Sequence, residues 1–211
     1  MIILIVFAYL LGSVPFGYLI VKRKKGIDIR TTGSFVTGAT NVSRLCGWRW
    51  GLVVAILDFL KGFIPTSLAF LFLARDWNAG FVGFFAFLGH VFPIFIKFKG
   101  GKGVATSAGV LIPSLLLYII NYPSAWIIAL FTVIVAVWIW LIVSRKKMGL
   151  ASISLMILSI PFFGLLDAFV CPTKLAVPVF LMASAVLIQH RENWKRLWQG
   201  KERTLETSWE K

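Results

Sequence analysis

Apolar positions in this chain come in long unbroken runs, separated by short polar clusters, with no alternation between the two. Runs of about 17–25 apolar residues are long enough to cross a bilayer as helices. Seven such runs are legible, at 2–21, 51–73, 80–96, 104–120, 125–143, 149–166 and 175–189. In hydrocarbon the backbone must satisfy its own hydrogen bonds, which leaves helices or closed barrels. The runs are too continuous for the two-residue period of a barrel strand. The pattern therefore predicts an all-α, polytopic membrane protein with seven transmembrane helices, in a single domain over 1–211. The polar connections fall at 22–50, 74–79, 97–103, 121–124, 144–148 and 167–174, with a tail over 190–211.

Composition agrees with this reading. The chain is 59% hydrophobic with a mean hydropathy of +0.87, whereas a soluble domain sits near about 45–50% apolar. No internal repeat is visible, which weakens the case for a repeat-built transporter. Residues 1–21 lack a basic leading segment and a small-residue cleavage site, so a retained first helix is expected rather than a signal peptide.

Charge changes the picture by giving the bundle a direction. A net charge of +14 would point to nucleic acid in a soluble protein. Here no aromatic residues interleave with the cations along a groove-like surface, and nucleic acid is not expected as a partner. Of the 22 basic residues, 19 fall on one side: seven in 22–50, three in 97–103, three in 144–148 and six in the tail. The opposite side has Arg75 and Lys174, and Lys61 lies within the second run. Basic loops stay cytoplasmic, so the N-terminus is expected outside and the C-terminus in the cytoplasm. Cys46 then lies inside and Cys171 outside, and the two are not expected to pair. Trp194, Leu197 and Trp198 at helical spacing beside Lys195 and Arg196 predict a helix end lying in the membrane interface.

The unusual polar clusters all fall on the cation-rich side. The first, GSFVTGATNVSR (33–44), combines glycines with the small donors Ser34, Thr40 and Asn41 and the forked cation Arg44. A turn-rich loop with helix-capping residues explains the same composition. Its Asn-Val-Ser triplet matches a glycosylation acceptor, a chance match on a cytoplasmic loop. The second cluster, GHVFPIFIKFKGGKGVAT (89–106), sets Lys102 among glycines before an apolar run. Glycines let backbone amides approach an anion, and a following helix offers its positive end. It is not a nucleotide P-loop, because Ile96 and Gly103 stand where that pattern needs glycine and Ser or Thr. A lone histidine such as His90 is more often packed than catalytic. The third cluster is HRENWKR (190–196), where His190 and Asn193 share a helix face and Arg191 suits phosphate or plain anchoring.

Asp58 and Lys61, three apart in the second run, allow an intramembrane ion pair, either functional or structural. Ser152 and Ser154 can simply bond back to their own helix. A serine nucleophile elbow, a metal-ligand cluster and paired carboxylates near the cationic face are all missing. What remains is an interfacial site rich in anion donors, suited to a phosphorylated, lipid-linked substrate.

Taken together, GSVPFGYLI (12–20), GIDIR (26–30), GATNVSR (38–44), DFLKG (58–62), residues 89–106, LASI (150–153) and HRENWKR resemble the bacterial acyl-phosphate-dependent glycerol-3-phosphate acyltransferases. These stretches run in family order from one end of the chain to the other. The resemblance implies seven transmembrane helices in the bacterial inner membrane with a cytoplasmic active site, and a chain able to act as a monomer. It implies transfer of a fatty acyl group from acyl phosphate to the sn-1 hydroxyl of glycerol 3-phosphate, giving lysophosphatidic acid and phosphate, the first acylation of phospholipid synthesis. No metal, cofactor or side-chain nucleophile is implied; the donor's own phosphate helps deprotonate the hydroxyl. By motif position, Ser34, Thr40, Asn41 and Arg44 would hold the acyl-phosphate head, and the amides of Gly100, Gly101 and Gly103 would surround phosphate. Lys102, Ser152, His190 and Asn193 would orient glycerol 3-phosphate, with Arg191 and His90 as further contacts. Catalysis would rest on Lys102, Asn193, His190 and Arg44.

One position departs from the pattern. The family usually has Gly-Ser-Gly-Asn before the GATN element, whereas residues 33–36 here are Gly-Ser-Phe-Val. A rearranged loop, a weaker enzyme, or a lipid-phosphate-binding paralogue with altered or lost activity are the readings this opens. A small membrane transporter is the other alternative.

Overall fold

The computed structural model describes residues 1–73, 77–170 and 174–202. The regular elements among them are all helical: α1 (Ile2–Ser13), α2 (Phe16–Lys25), α3 (Ala39–Cys46), α4 (Trp48–Phe72), α5 (Trp77–Val91), α6 (Val104–Asn121), α7 (Ala125–Arg145), α8 (Met148–Phe169), α9 (Ala176–Gln189) and α10 (Arg191–Trp198). Single 3-10 turns add Ile29–Thr31 and Ile94–Ile96.

The expected helix over 2–21 is two helices. Pro15 pushes the residue before it out of the helical region, and Val14 is extended, at φ −62° and ψ 114°. The chain resumes as α2, whose last turn is Lys22–Lys25 and which closes on Gly26 at φ +71°. Cations there face the negative end of the helix. Within the 22–50 connection, α3 is a further helix that the run-length reading passed over.

Met1–Ser114 form one compact unit. Its helices meet at glycines, as expected where lipid supplies no hydrophobic drive and close van der Waals approach must do the work. A Cβ on Gly12 would sit 2.1 Å from the Ala86 carbonyl oxygen, and one on Gly89 2.2 Å from that of Tyr9, so α1 lies directly on α5. Likewise Gly109 would meet the Phe59 carbonyl oxygen at 2.0 Å, joining α6 to α4. Ala8, Ala69, Ala79, Val82 and Ala86 form one buried cluster. Val21, Ile29, Val42 and Val54 form another, which fastens the 27–38 segment and α3 to α2 and α4.

Leu115–Lys211 form the second unit. Here α8 packs on α7 and α9, and α10 rests on α8 and α9. The Tyr118 hydroxyl donates to Asp167 Oδ1, while Asp167 Oδ2 accepts the Ala176 amide at 2.8 Å. That carboxylate thus satisfies an amide at the start of α9, one of the donors a helix cannot satisfy itself.

Among the described residues, six stretches are long and apolar enough to cross a membrane: Ile2–Lys25, Trp48–Phe72, Asn78–Ile96, Val104–Asn121, Ala125–Arg145 and Met148–Phe169. The expected seventh, 175–189, is apolar but has only 14 residues in α9, about 21 Å at 1.5 Å per residue. Cys46 carries a free, half-buried thiol, and burial pushes its pKa up. Cys171, Arg75, Arg203 and Lys211 lie outside the described residues.

Candidate functional site

The 27–38 segment is built around two side chains. Asp28 caps the 3-10 turn by accepting the Arg30 amide at 2.9 Å, and its carboxylate also holds the Arg30 guanidinium at 2.7 Å. The Arg30 contact holds the Asp28 carboxyl well below its ordinary value, at about 2. Arg30 lies over the Tyr18 ring at 5.2 Å and donates from Nη1 to the Ile96 carbonyl at 2.7 Å. One guanidinium therefore ties the 27–38 segment to the second polar cluster.

Asn41 does the rest. It is buried within α3, where its Oδ1 accepts the Ser34 amide at 3.1 Å. Its Nδ2 reaches the carbonyls of Ile29, Thr32 and Val36 at 3.3, 3.1 and 2.9 Å. The amide is engaged in shaping the loop that presents Ser34, so it acts on that loop rather than as an outward-facing donor. Thr40 and Arg44 lie half-buried in the first and last turns of α3. Phe35 has φ +60°, the left-handed conformation that glycine adopts without cost, and the residue is 64% exposed.

The second cluster leaves α5 through a compact turn. The Gly100 amide donates to the Val91 carbonyl and that of Gly101 to the His90 carbonyl, both at 3.2 Å. These two amides were expected around phosphate; here they satisfy the last carbonyls of α5, which a helix end leaves without partners. Lys97 and Phe98 turn the chain with positive φ. Gly103 (φ +86°) is pressed against Phe87, whose ring would lie 2.2 Å from an added Cβ. Lys102, half-buried, leads straight into α6. In the first turn of α6, Thr106 Oγ1 and Ser107 Oγ are buried without a hydrogen-bond partner among the described residues.

Behind this loop Asp58, Lys61 and His90 form one buried cluster. Lys61 Nζ is 2.8 Å from Asp58 Oδ1, and His90 Nδ1 lies 3.5 Å from the same oxygen and 3.4 Å from Nζ. The pair that the sequence spacing allows is formed, and His90, 29 residues beyond Lys61, joins it.

The second unit holds the third cluster. His190 and Asn193 are buried, at 2% and 6% exposure, whereas Arg191 is on the surface. His190 Nδ1 lies 2.8 Å from the Val186 carbonyl; a carbonyl only accepts, so Nδ1 carries the proton. Asn193 Nδ2 donates to Glu202 Oε1 at 2.6 Å, and Glu202 Oε2 accepts from Arg196 Nε at 3.0 Å. Gly149 gives α8 room for this pair, since its Cβ would lie 2.5 Å from both Asn193 Nδ2 and Glu202 Oε1. Ser152, one turn along α8, donates back to the Met148 carbonyl at 2.8 Å, and Ser154 does the same to Leu150 at 3.0 Å.

The first unit therefore unites the first and second clusters, and the second unit unites Asn193 with the start of α8. Sequence reasoning gave no role to Arg30, Asp28, Glu202, Thr106 or Ser107. The Asp-x-Arg spacing of GIDIR was a usable signal for the first two; one glutamate among several in a charged tail gives none. Among the described residues no group of three or more His, Cys, Asp or Glu could hold a metal ion.

Comparison with known proteins shows the family. A family model described as glycerol-3-phosphate acyltransferase matches residues 2–200. The glycerol-3-phosphate acyltransferase of Aquifex aeolicus is 40% identical over 200 residues, covering 94% of this chain and 96% of its own. That of Bacillus subtilis is 42% identical over 195 residues, covering 92% of each. Crystal structures of PlsY (YgiH), an integral membrane glycerol 3-phosphate acyltransferase, in its glycerol 3-phosphate and lysophosphatidic acid forms are 37% identical, with TM-score 0.78 over 96% of this chain and 94% of theirs. With several helices apolar enough to cross a bilayer, the chain is a membrane protein and belongs to the glycerol-3-phosphate acyltransferase family.

Proposed function

We propose that this protein is a glycerol-3-phosphate acyltransferase that takes its acyl group from acyl phosphate. The sn-1 oxygen of glycerol 3-phosphate attacks the acyl carbon, the bond from that carbon to the phosphate oxygen breaks, and the hydroxyl proton passes to the departing phosphate. Lysophosphatidic acid and inorganic phosphate result. Phosphate is a good leaving group, so the protein's work is positioning and charge stabilisation.

In this reading Ser34, Thr40 and Arg44 hold the donor's head group on the loop that Asn41 braces. Gly103 and the first-turn amides of α6 face phosphate, with Gly100 and Gly101 shaping the turn. Lys102, Ser152, His190 and Asn193 orient glycerol 3-phosphate, with Arg191 at the periphery and His90 beneath the loop rather than in contact with substrate. The chain works as a single domain over 1–211 and can act as a monomer. It crosses the bacterial inner membrane seven times, α9 being the short seventh crossing, which a locally thinner bilayer accommodates. The N-terminus is outside and the active site faces the cytoplasm.

The observation that carries this reading is the glycine and lysine loop held by backbone hydrogen bonds ahead of α6, in a chain whose structural relatives were solved in glycerol 3-phosphate and lysophosphatidic acid forms. Purified protein in lipid mesophase, given acyl phosphate and glycerol 3-phosphate, is expected to release phosphate and form lysophosphatidic acid. Lys102→Ala is expected to lose most turnover, about a hundredfold, while still inserting and purifying. An intact wild-type protein that releases no phosphate would leave the lipid-phosphate-binding paralogue. Near wild-type turnover in Lys102→Ala would remove that lysine from the chemistry.

A further inference from the structure

We infer that Asp58, Lys61 and His90 are positioning residues that hold the 97–103 loop in its anion-binding shape from inside the bundle. The inference rests on the reading that this loop receives the phosphate of glycerol 3-phosphate.

All three residues are nearly sealed from solvent, at 3%, 3% and 6% exposure. An ion pair so deeply buried adds little net stability over apolar residues of the same size, and charge within a membrane span is costly. Stability alone therefore explains the cluster poorly. Its geometry explains it better. His90 is gripped at Nδ1 by the ion pair, 3.5 Å from Asp58 Oδ1 and 3.4 Å from Lys61 Nζ. The opposite edge of the same ring underlies the loop: Nε2 would stand 2.2 Å from a Cβ on Gly101. The His90 carbonyl also accepts the Gly101 amide at 3.2 Å. One residue thus fixes Gly101 through ring and backbone together, and Lys102 follows directly.

The far side of the loop is anchored by the same helix. Gly62, next to Lys61 on α4, lies so close to α6 that its Cβ would be 2.2 Å from the Thr106 carbonyl oxygen. Consecutive residues of α4 therefore hold the approach to the loop, through His90, and its exit, through Thr106. The Phe16 ring, 5.1 Å from Lys61 Nζ, covers the cluster from α2. The loop's shape is set by α4, and the ion pair fixes the rotation of the His90 ring.

The test uses the full chain in detergent, with glycerol 3-phosphate affinity measured by calorimetry and thermal unfolding followed in parallel. The double variant Asp58→Leu with Lys61→Met removes both charges together, so no unpaired charge is left buried. Its melting temperature is expected to stay near wild type, while glycerol 3-phosphate binds about tenfold or more weakly, as misplacement of a binding group implies. His90→Asn keeps a polar atom near Nδ1 but withdraws the ring from Gly101, and the same weakening is expected. If the double variant does not fold, His90→Asn alone decides. Unchanged affinity in a folded variant, or a lower melting temperature without loss of affinity, overturns the inference. Wild-type protein that binds glycerol 3-phosphate but transfers no acyl group would defeat the proposed function and leave this comparison intact. Wild-type protein that binds none would overturn both.

Discussion

Phe35 keeps its backbone at φ +60°, a conformation that costs a residue with a Cβ about 1–2 kcal/mol, while the residue stays 64% exposed and gains little from packing. The sequence raised a rearranged loop as one consequence of losing glycine there; in this chain Phe35 itself takes the left-handed turn. Replacing Phe35 by Gly is expected to raise stability by about 1 kcal/mol, read as a higher melting temperature in detergent. Combined with Val36→Asn it should also raise turnover; a clear loss would mean the ring has a use of its own. Asp28 gives a pH prediction of definite sign. Its carboxyl is held at about 2 against an ordinary 3.8, so the native state favours the ionised form. The stability this lends the Arg30 clamp is complete above about 3.8 and is lost as pH falls through about 2. Limited proteolysis within 27–38 should accelerate over that window, and Asp28→Asn should abolish the acceleration.

Helix-to-helix approach is set by glycines rather than by large apolar side chains. At Gly109 an added methyl would meet the Phe59 carbonyl oxygen at 2.0 Å, with no flexible side chain to yield. Gly109→Ala is therefore expected to cost about 1–3 kcal/mol by forcing α4 and α6 apart, measured by thermal unfolding. The affinity of the 97–103 loop for glycerol 3-phosphate should weaken with it. A melting temperature equal to wild type would show that the two helices separate without strain. Most helices were legible because apolar run length is a property of the chain alone. The break at Val14–Pro15 was legible in principle, since proline constrains its predecessor, yet run length masked it. The helix α3 was hidden because it is short and amphipathic, and its stability comes from Val42 packing with Val21, Ile29 and Val54.

Across the whole chain the uneven distribution of cations is the dominant physical feature, with 19 of 22 basic residues in segments expected on one side. The proposed orientation makes a direct prediction. In a protein freed of its native cysteines, Lys146→Cys should react with a membrane-impermeant maleimide in inside-out vesicles and stay protected in intact cells. Labelling in intact cells would reverse the topology and put the proposed active site on the wrong side for its phosphorylated substrates.

By itself the sequence determined that the chain is a helical membrane protein, that its cations gather in particular loops, and which motifs carry anion donors. Each of these follows from local composition and short spacing. Only the tertiary structure decided that Asn41 turns inward to shape the Ser34 loop, that Arg30 links it to the Ile96 turn, and that Glu202 meets Asn193. It alone joined His90 to Asp58 and Lys61 beneath Gly101. Such pairings depend on which helix faces pack together, and burial then obliges polar groups far apart in sequence to find partners.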